Sequence, residues 1–168
     1  LKSGCRELNI VAQDPMLYGI DGRDATLVDL LRKLDELSGD FWIRVLYSYP
    51  SEISDEFIKW MNESKHAVRY LDVPLQHTVP EVLKRMNRVA AVAASLDAAR
   101  FLREKIPGVT LRTTIMTGFP GETPGRFKRL MSDLAEMQFD HLGAFAFSPE
   151  EGTLAAKMTN RPSRAVAE

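Results

Sequence analysis

The chain has 168 residues, 45% of them hydrophobic and 27% charged, with a formal net charge of −1. These figures describe an ordinary globular protein large enough for one domain with a sizeable core, and they exclude a globally basic nucleic-acid binder, leaving only a local patch for any such contact. No apolar run is long enough to span a bilayer, the N-terminus lacks the layout of a signal peptide, and the single cysteine rules out an internal disulfide and fits a reducing, cytoplasmic setting.

Strand-like and helix-like segments alternate from end to end. Residues 7–12 form a short β-rich run closing on Gln13-Asp14-Pro15. Residues 25–37 carry Leu27, Leu30, Leu31 and Leu34 at helical spacing, and Ser38-Gly39-Asp40 stops that helix. Residues 41–49 are aromatic and β-branched, a strand ended by Pro50; Ser54-Asp55-Glu56 then starts a helix with Phe57, Ile58 and Met61 on its apolar face. Residues 68–75 repeat the strand, and Thr78-Val-Pro-Glu81 opens a helix with proline near its first turn. A helix from Val89 runs through Leu96, Ala99 and Leu102 to the stop at Ile106-Pro107-Gly108. Strand 109–117, helix 123–137 and strand 141–147 complete the pattern. Five strands separated by helices predict an α/β fold with a parallel sheet, either open or part of a barrel.

Polar residues inside the strands favour a partial (β/α) barrel. Alternate strand residues share a face, which groups Arg44 with Ser48, Asp72 with Gln76, and Arg112 with Thr114. Both faces of an open parallel sheet lie under helices, where such groups are costly; inside a barrel they can pair, as Arg44 with Asp72, or meet a ligand. Ligands in these folds sit at the C-terminal strand ends. There the segment Leu111-Arg-Thr-Thr-Ile-Met-Thr-Gly-Phe-Pro-Gly-Glu-Thr123 reads as a buried strand, a Gly-Phe-Pro-Gly turn and a helix start with Glu122 and Thr123. Its glycines let the backbone turn sharply and approach a ligand closely; a tight βα turn without a ligand is the plainer alternative. No Cys-x-x-Cys pair occurs, His66, His77 and His141 lack metal-ligand spacing, and Cys5 is expected to be a small buried thiol. No residue of the chain is therefore assigned to a metal.

Six blocks carry a resemblance over nearly the whole chain and in order. They are Leu8-Asn-Ile-Val-Ala-Gln-Asp14 with Tyr18-Gly19, Trp42-Ile-Arg-Val-Leu-Tyr-Ser-Tyr-Pro50, Tyr70-Leu-Asp-Val-Pro-Leu-Gln-His77, Val82-Leu-Lys-Arg-Met-Asn-Arg88, Arg112 to Thr123, and Phe147-Ser-Pro-Glu-Glu-Gly-Thr153. Together they resemble the radical S-adenosylmethionine (SAM) core of the methylthiotransferases, in the branch that modifies a ribosomal protein. The resemblance implies a partial radical SAM barrel that binds S-adenosylmethionine and works with [4Fe–4S] clusters. It also implies hydrogen abstraction from the β-carbon of an aspartate in a small-subunit ribosomal protein, followed by methylthio transfer.

By the same resemblance, Gln13 contacts the methionine end of the cofactor, and Asp72, Gln76 and His77 serve the ribose or substrate side. Thr114, Gly118, Phe119, Pro120 and Gly121 lie along the adenosine, with Phe119 or Phe147 near the adenine. Ordinary core packing of the two phenylalanines, and a His77 bonded to its own turn, are the alternatives. The family's three-cysteine loop and its C-terminal TRAM domain, a site for RNA or ribosome contact, are absent from residues 1–168, so the chain is expected to be a core fragment, inactive alone. Three other readings stand beside this one: a tRNA methylthiotransferase, a non-catalytic nucleotide- or protein-binding module, and an unrelated barrel using Asp72 and Glu122 as acid and base.

Overall fold

A computed structural model of the chain describes residues 1–19, 22, 25–163 and 167, and of residues 89–96 the backbone alone, so Leu96 in the predicted helix face lies outside the described side chains. The chain divides into two compact units. One comprises Leu1–Val73 with Phe101–Leu111, the other Pro74–Arg100 with Arg112–Glu168.

In the first unit, strand β1 (Glu7–Ile10) pairs in parallel with β2 (Trp42–Val45), Asn9 lying opposite Arg44. Helix α1 (Leu27–Asp35) joins them. It starts at a capping box: the Thr26 hydroxyl accepts the Asp29 N–H, and the Asp29 carboxylate accepts the Thr26 N–H. Helix α2 (Asp55–Glu63) is capped by the Ser54 hydroxyl and buries Phe57, Ile58, Trp60 and Met61. Asp35, at the end of α1, accepts hydrogen bonds from Trp60 Nε1 at 2.7 Å and from the Ser64 hydroxyl at 2.6 Å. The parallel pairing continues beyond β2, where the Ile43 N–H donates to the His66 carbonyl and its own carbonyl accepts the Val68 N–H. Strand β3 (Tyr70–Asp72) follows. The last turns of α4 (Val89–Lys105) bury Leu102, Ile106 is buried just beyond, and β4 (Thr110–Thr117) begins beside β3 with the Thr110 N–H on the Arg69 carbonyl. Burial of Leu31, Ile43, Phe57, Leu71 and Ile106 forms the core of this unit.

In the second unit, the rest of β4 pairs in parallel with β5 (His141–Ala146), in register from Arg112 opposite His141 to Thr117 opposite Ala146. Helix α5 (Pro124–Met137) joins them; the Thr123 hydroxyl accepts the Arg126 N–H, and Pro124 costs nothing in a first turn that lacks acceptors. The short α3 (Pro80–Arg85) opens in the same way on Pro80. Val79, Val82 and Phe119 form a buried cluster against which Met86, Met116 and Phe147 pack.

The elements lie where periodicity places them, and the strands are shorter than expected. Tyr47 (φ 62°) leaves the extended region two residues after β2 ends, which breaks the alternation that would align Arg44 with Ser48. Gln76 (φ 66°) does the same after β3. Arg44 is paired differently from the expected Arg44–Asp72 contact. Its Nε donates to Glu7 at 2.7 Å and its guanidinium lies 4.9 Å from the Tyr70 ring centroid, because the β1–β2 register sets Glu7 near Arg44. Cys5 is exposed rather than buried, because it precedes β1 in a stretch whose residues 1–6 are all exposed; its Sγ donates to the Glu7 carbonyl at 3.1 Å. Among the described residues no helix is long and apolar enough to cross a membrane.

Candidate functional site

The second unit brings most of the predicted site residues to one place, where the segment following Pro74 meets the C-terminal end of β4. Gln76 rejoins the sheet as a single parallel bridge opposite Ile115. Its N–H donates to the Thr114 carbonyl and its carbonyl accepts the Met116 N–H, both at 2.8 Å. Its side-chain Oε1 is buried and has no hydrogen-bond partner among the described residues, and neither has the buried hydroxyl of Thr78. Thr114 accepts from Arg112 Nη1 at 3.2 Å and lies opposite Gly143, where a Cβ would stand 3.3 Å from the same guanidinium.

Residue 77 is wholly buried. Its Nδ1 accepts the Val79 N–H at 2.9 Å, so the proton of the neutral ring sits on Nε2. That nitrogen faces Glu122 Oε1 at 3.6 Å, beyond hydrogen-bond length, and each atom is otherwise unpartnered among the described residues. The other oxygen of Glu122 accepts the Gly118 N–H. The turn is closed by the Glu122 N–H on the Phe119 carbonyl at 2.9 Å and tied from outside by the Gly121 N–H on the Asn160 carbonyl at 3.0 Å. Arg126 donates to the Gly121 carbonyl.

Gly118 (φ 72°) and Gly121 (φ 95°) both occupy the left-handed region. The space beside them is filled by the chain itself: a Cβ on Gly118 would run into Ala167, and one on Gly121 would stand 2.8 Å from Arg85 Cδ and Nε. Pro120 is buried between them, and Phe119 meets Phe147 edge to face at 5.0 Å in the Val79–Val82 cluster.

Gln13 and Asp72 belong to the first unit. There the strand ends are aligned by the Leu46 N–H on the Ile10 carbonyl and the Ser48 N–H on the Asp72 carbonyl. Gln13 is exposed, whereas the Asp72 side chain is buried. Asp14, next to Gln13, accepts the Met16 N–H, and burial pushes its carboxyl above the ordinary range.

Sequence reasoning missed the inward turn of Glu122, since an acidic residue ahead of Thr-Pro reads as a first-turn helix acid. Among the described residues no group of three His, Cys, Asp or Glu could hold a metal ion. An iron–sulfur cubane held by three thiolates does not fit a chain whose one cysteine is Cys5.

The family model of the radical SAM superfamily matches residues 1–134. The chain belongs to the radical SAM superfamily. Among curated relatives, this radical SAM chain is 44% identical over 159 residues to a protein from Carboxydothermus hydrogenoformans named ribosomal protein uS12 methylthiotransferase RimO, covering 94% of this chain and 36% of that one. A protein of the same name from Syntrophobacter fumaroxidans is 47% identical, over 94% and 35%. The chain therefore spans little more than a third of these relatives. Coproporphyrinogen III oxidase (HemN) from Escherichia coli, a radical SAM enzyme, superimposes with a TM-score of 0.62 at 22% identity, covering 84% of this chain and 32% of that one. The radical SAM methyltransferase TsrM from Kitasatospora setae gives 0.60 at 17%, over 86% and 28%. These likenesses show the fold: parallel strands alternating with helices, as in part of a radical SAM barrel.

Proposed function

We propose that this radical SAM chain is the central part of a longer cytoplasmic methylthiotransferase that acts on an aspartate β-carbon of ribosomal protein uS12. The observation that carries this is the 44–47% identity, across nearly all of these residues, to relatives that bear that name. The ribosome or its RNA is met by a TRAM domain elsewhere in the longer protein.

S-adenosylmethionine, when bound, supplies the hydrogen-abstracting radical chemistry. The residues of the second unit fit its adenosine end. The buried, unpartnered oxygens of Gln76 and Thr78 are what a nucleoside's hydroxyls and amine satisfy. Phe119 and Phe147 offer an apolar wall for a base, and the turn holding Gly118, Pro120 and Gly121 supplies rigid backbone beside it. No side chain is assigned as a general base; the protein binds, orients and excludes water. The cluster ligands lie outside these residues, and no step passes through Cys5.

The test is anaerobic iron–sulfide reconstitution of the 168-residue chain and of the full-length protein, followed by incubation with S-adenosylmethionine, reductant, a sulfur source and either uS12 or tRNA. The full-length protein is expected to gain iron, release 5′-deoxyadenosine and add one methylthio group to uS12, and the 168-residue chain to gain none. Cofactor cleavage with modification of tRNA alone transfers the reading to the tRNA branch. Absence of cleavage overturns it.

A further inference from the structure

Two buried groups at the site have no task in that reading, His77 and Glu122. Both side chains are buried, 0% and 5% accessible, and the unpartnered atom of each faces the other. A carboxylate is expensive to bury, and its retention calls for partners that repay desolvation. Glu122 takes the Gly118 N–H on Oε2, and its Oε1 faces His77 Nε2 at 3.6 Å. His77 is in turn orientated by the Val79 N–H on its Nδ1, which leaves Nε2–H as the only proton it can direct at Glu122. Val79 leads directly into α3, so the chain of contacts runs from the start of α3 through His77 and Glu122 to the backbone of the turn.

We propose that His77 and Glu122 are a positioning pair that sets the backbone of the 118–121 turn, and through it the fit of the cofactor's adenosine, without either side chain touching the cofactor. This rests on the reading above that the turn lies along S-adenosylmethionine.

The substitutions His77→Gln and His77→Asn separate this role from simple packing. The glutamine amide reaches the place of Nε2 and retains a donor for Glu122. The asparagine oxygen reaches the place of Nδ1 and retains only the acceptor for Val79. Two readouts are taken on the full-length protein: amide hydrogen exchange across residues 116–123 without cofactor, and the Kd for S-adenosylmethionine after cluster reconstitution.

H77Q is expected to keep protection at Gly118 and a Kd within about threefold of wild type. H77N and E122A are expected to speed exchange at Gly118 and raise the Kd at least tenfold. Protection and affinity retained in H77N but lost in H77Q would assign His77 to its own turn and overturn the pair, as would no change in any variant. If the wild-type protein binds no S-adenosylmethionine, the functional reading fails by itself, and the exchange ranking of H77Q over H77N still decides whether the pair positions the turn.

Discussion

Arg44 reaches from β2 to Glu7 on the neighbouring strand, Nε to Oε1 at 2.7 Å, with its guanidinium over the Tyr70 ring. The hydrogen bond from Arg44 holds the Glu7 carboxyl below its ordinary range. A lowered carboxyl contributes stability above its unfolded pKa of about 4.3 and loses it as pH falls through the folded value. Unfolding free energies of the wild type and Glu7→Gln from urea titration should therefore differ at pH 7, by no more than about 1 kcal/mol for a partly exposed pair. They should converge below about pH 4. Parallel profiles at every pH would show that the pair contributes nothing.

Gly121→Ala combines a strained φ of 95° with a Cβ that stands 2.8 Å from the Arg85 side chain. Gly108→Ala is the control, since its φ is 77° and nothing lies within 4 Å of the added carbon. The control should lose about 1 kcal/mol from backbone strain alone. Gly121→Ala should lose more in denaturant titrations, because Arg85 must move as well.

Asp35 carries the indole N–H of buried Trp60 and the hydroxyl of Ser64. Asp35→Ala leaves that N–H without its partner, at a cost of about 1–3 kcal/mol. Unfolding followed by tryptophan fluorescence should show the loss. Trp60→Phe on the alanine background should recover part of it, because no orphaned donor remains.

Cys5 is exposed, and its nearest polar partner is a backbone carbonyl. It should react with iodoacetamide in the folded protein as completely as in denaturant. Protection that disappears only on unfolding would contradict its placement.

Element order and helix starts were legible because they depend on local chemistry. Thr26, Ser54 and Thr123 cap helices where a hydroxyl precedes an apolar period, and Pro80 and Pro124 stand in first turns. Strand ends were less legible, since Tyr47 and Gln76 adopt positive φ although their residue types give no sign of it. The partner of Arg44 depended on register, which alternation alone does not fix. At the site, the glycines were recognised while their neighbours Arg85 and Ala167 were not, because those contacts join residues distant in sequence. Glu122 was placed at a helix start, and only tertiary structure turns its carboxylate toward His77.

The bond from Gly121 N–H to the Asn160 carbonyl has a consequence for synthesis on the ribosome. At about 5–20 residues per second, residue 160 is added a few seconds after residue 121. Throughout that interval the turn after β4 lacks its outer tie. The segment of this chain best suited to hold a ligand is thus among the last to acquire its final shape, and a released chain that ends before residue 160 should leave the turn more open to proteases.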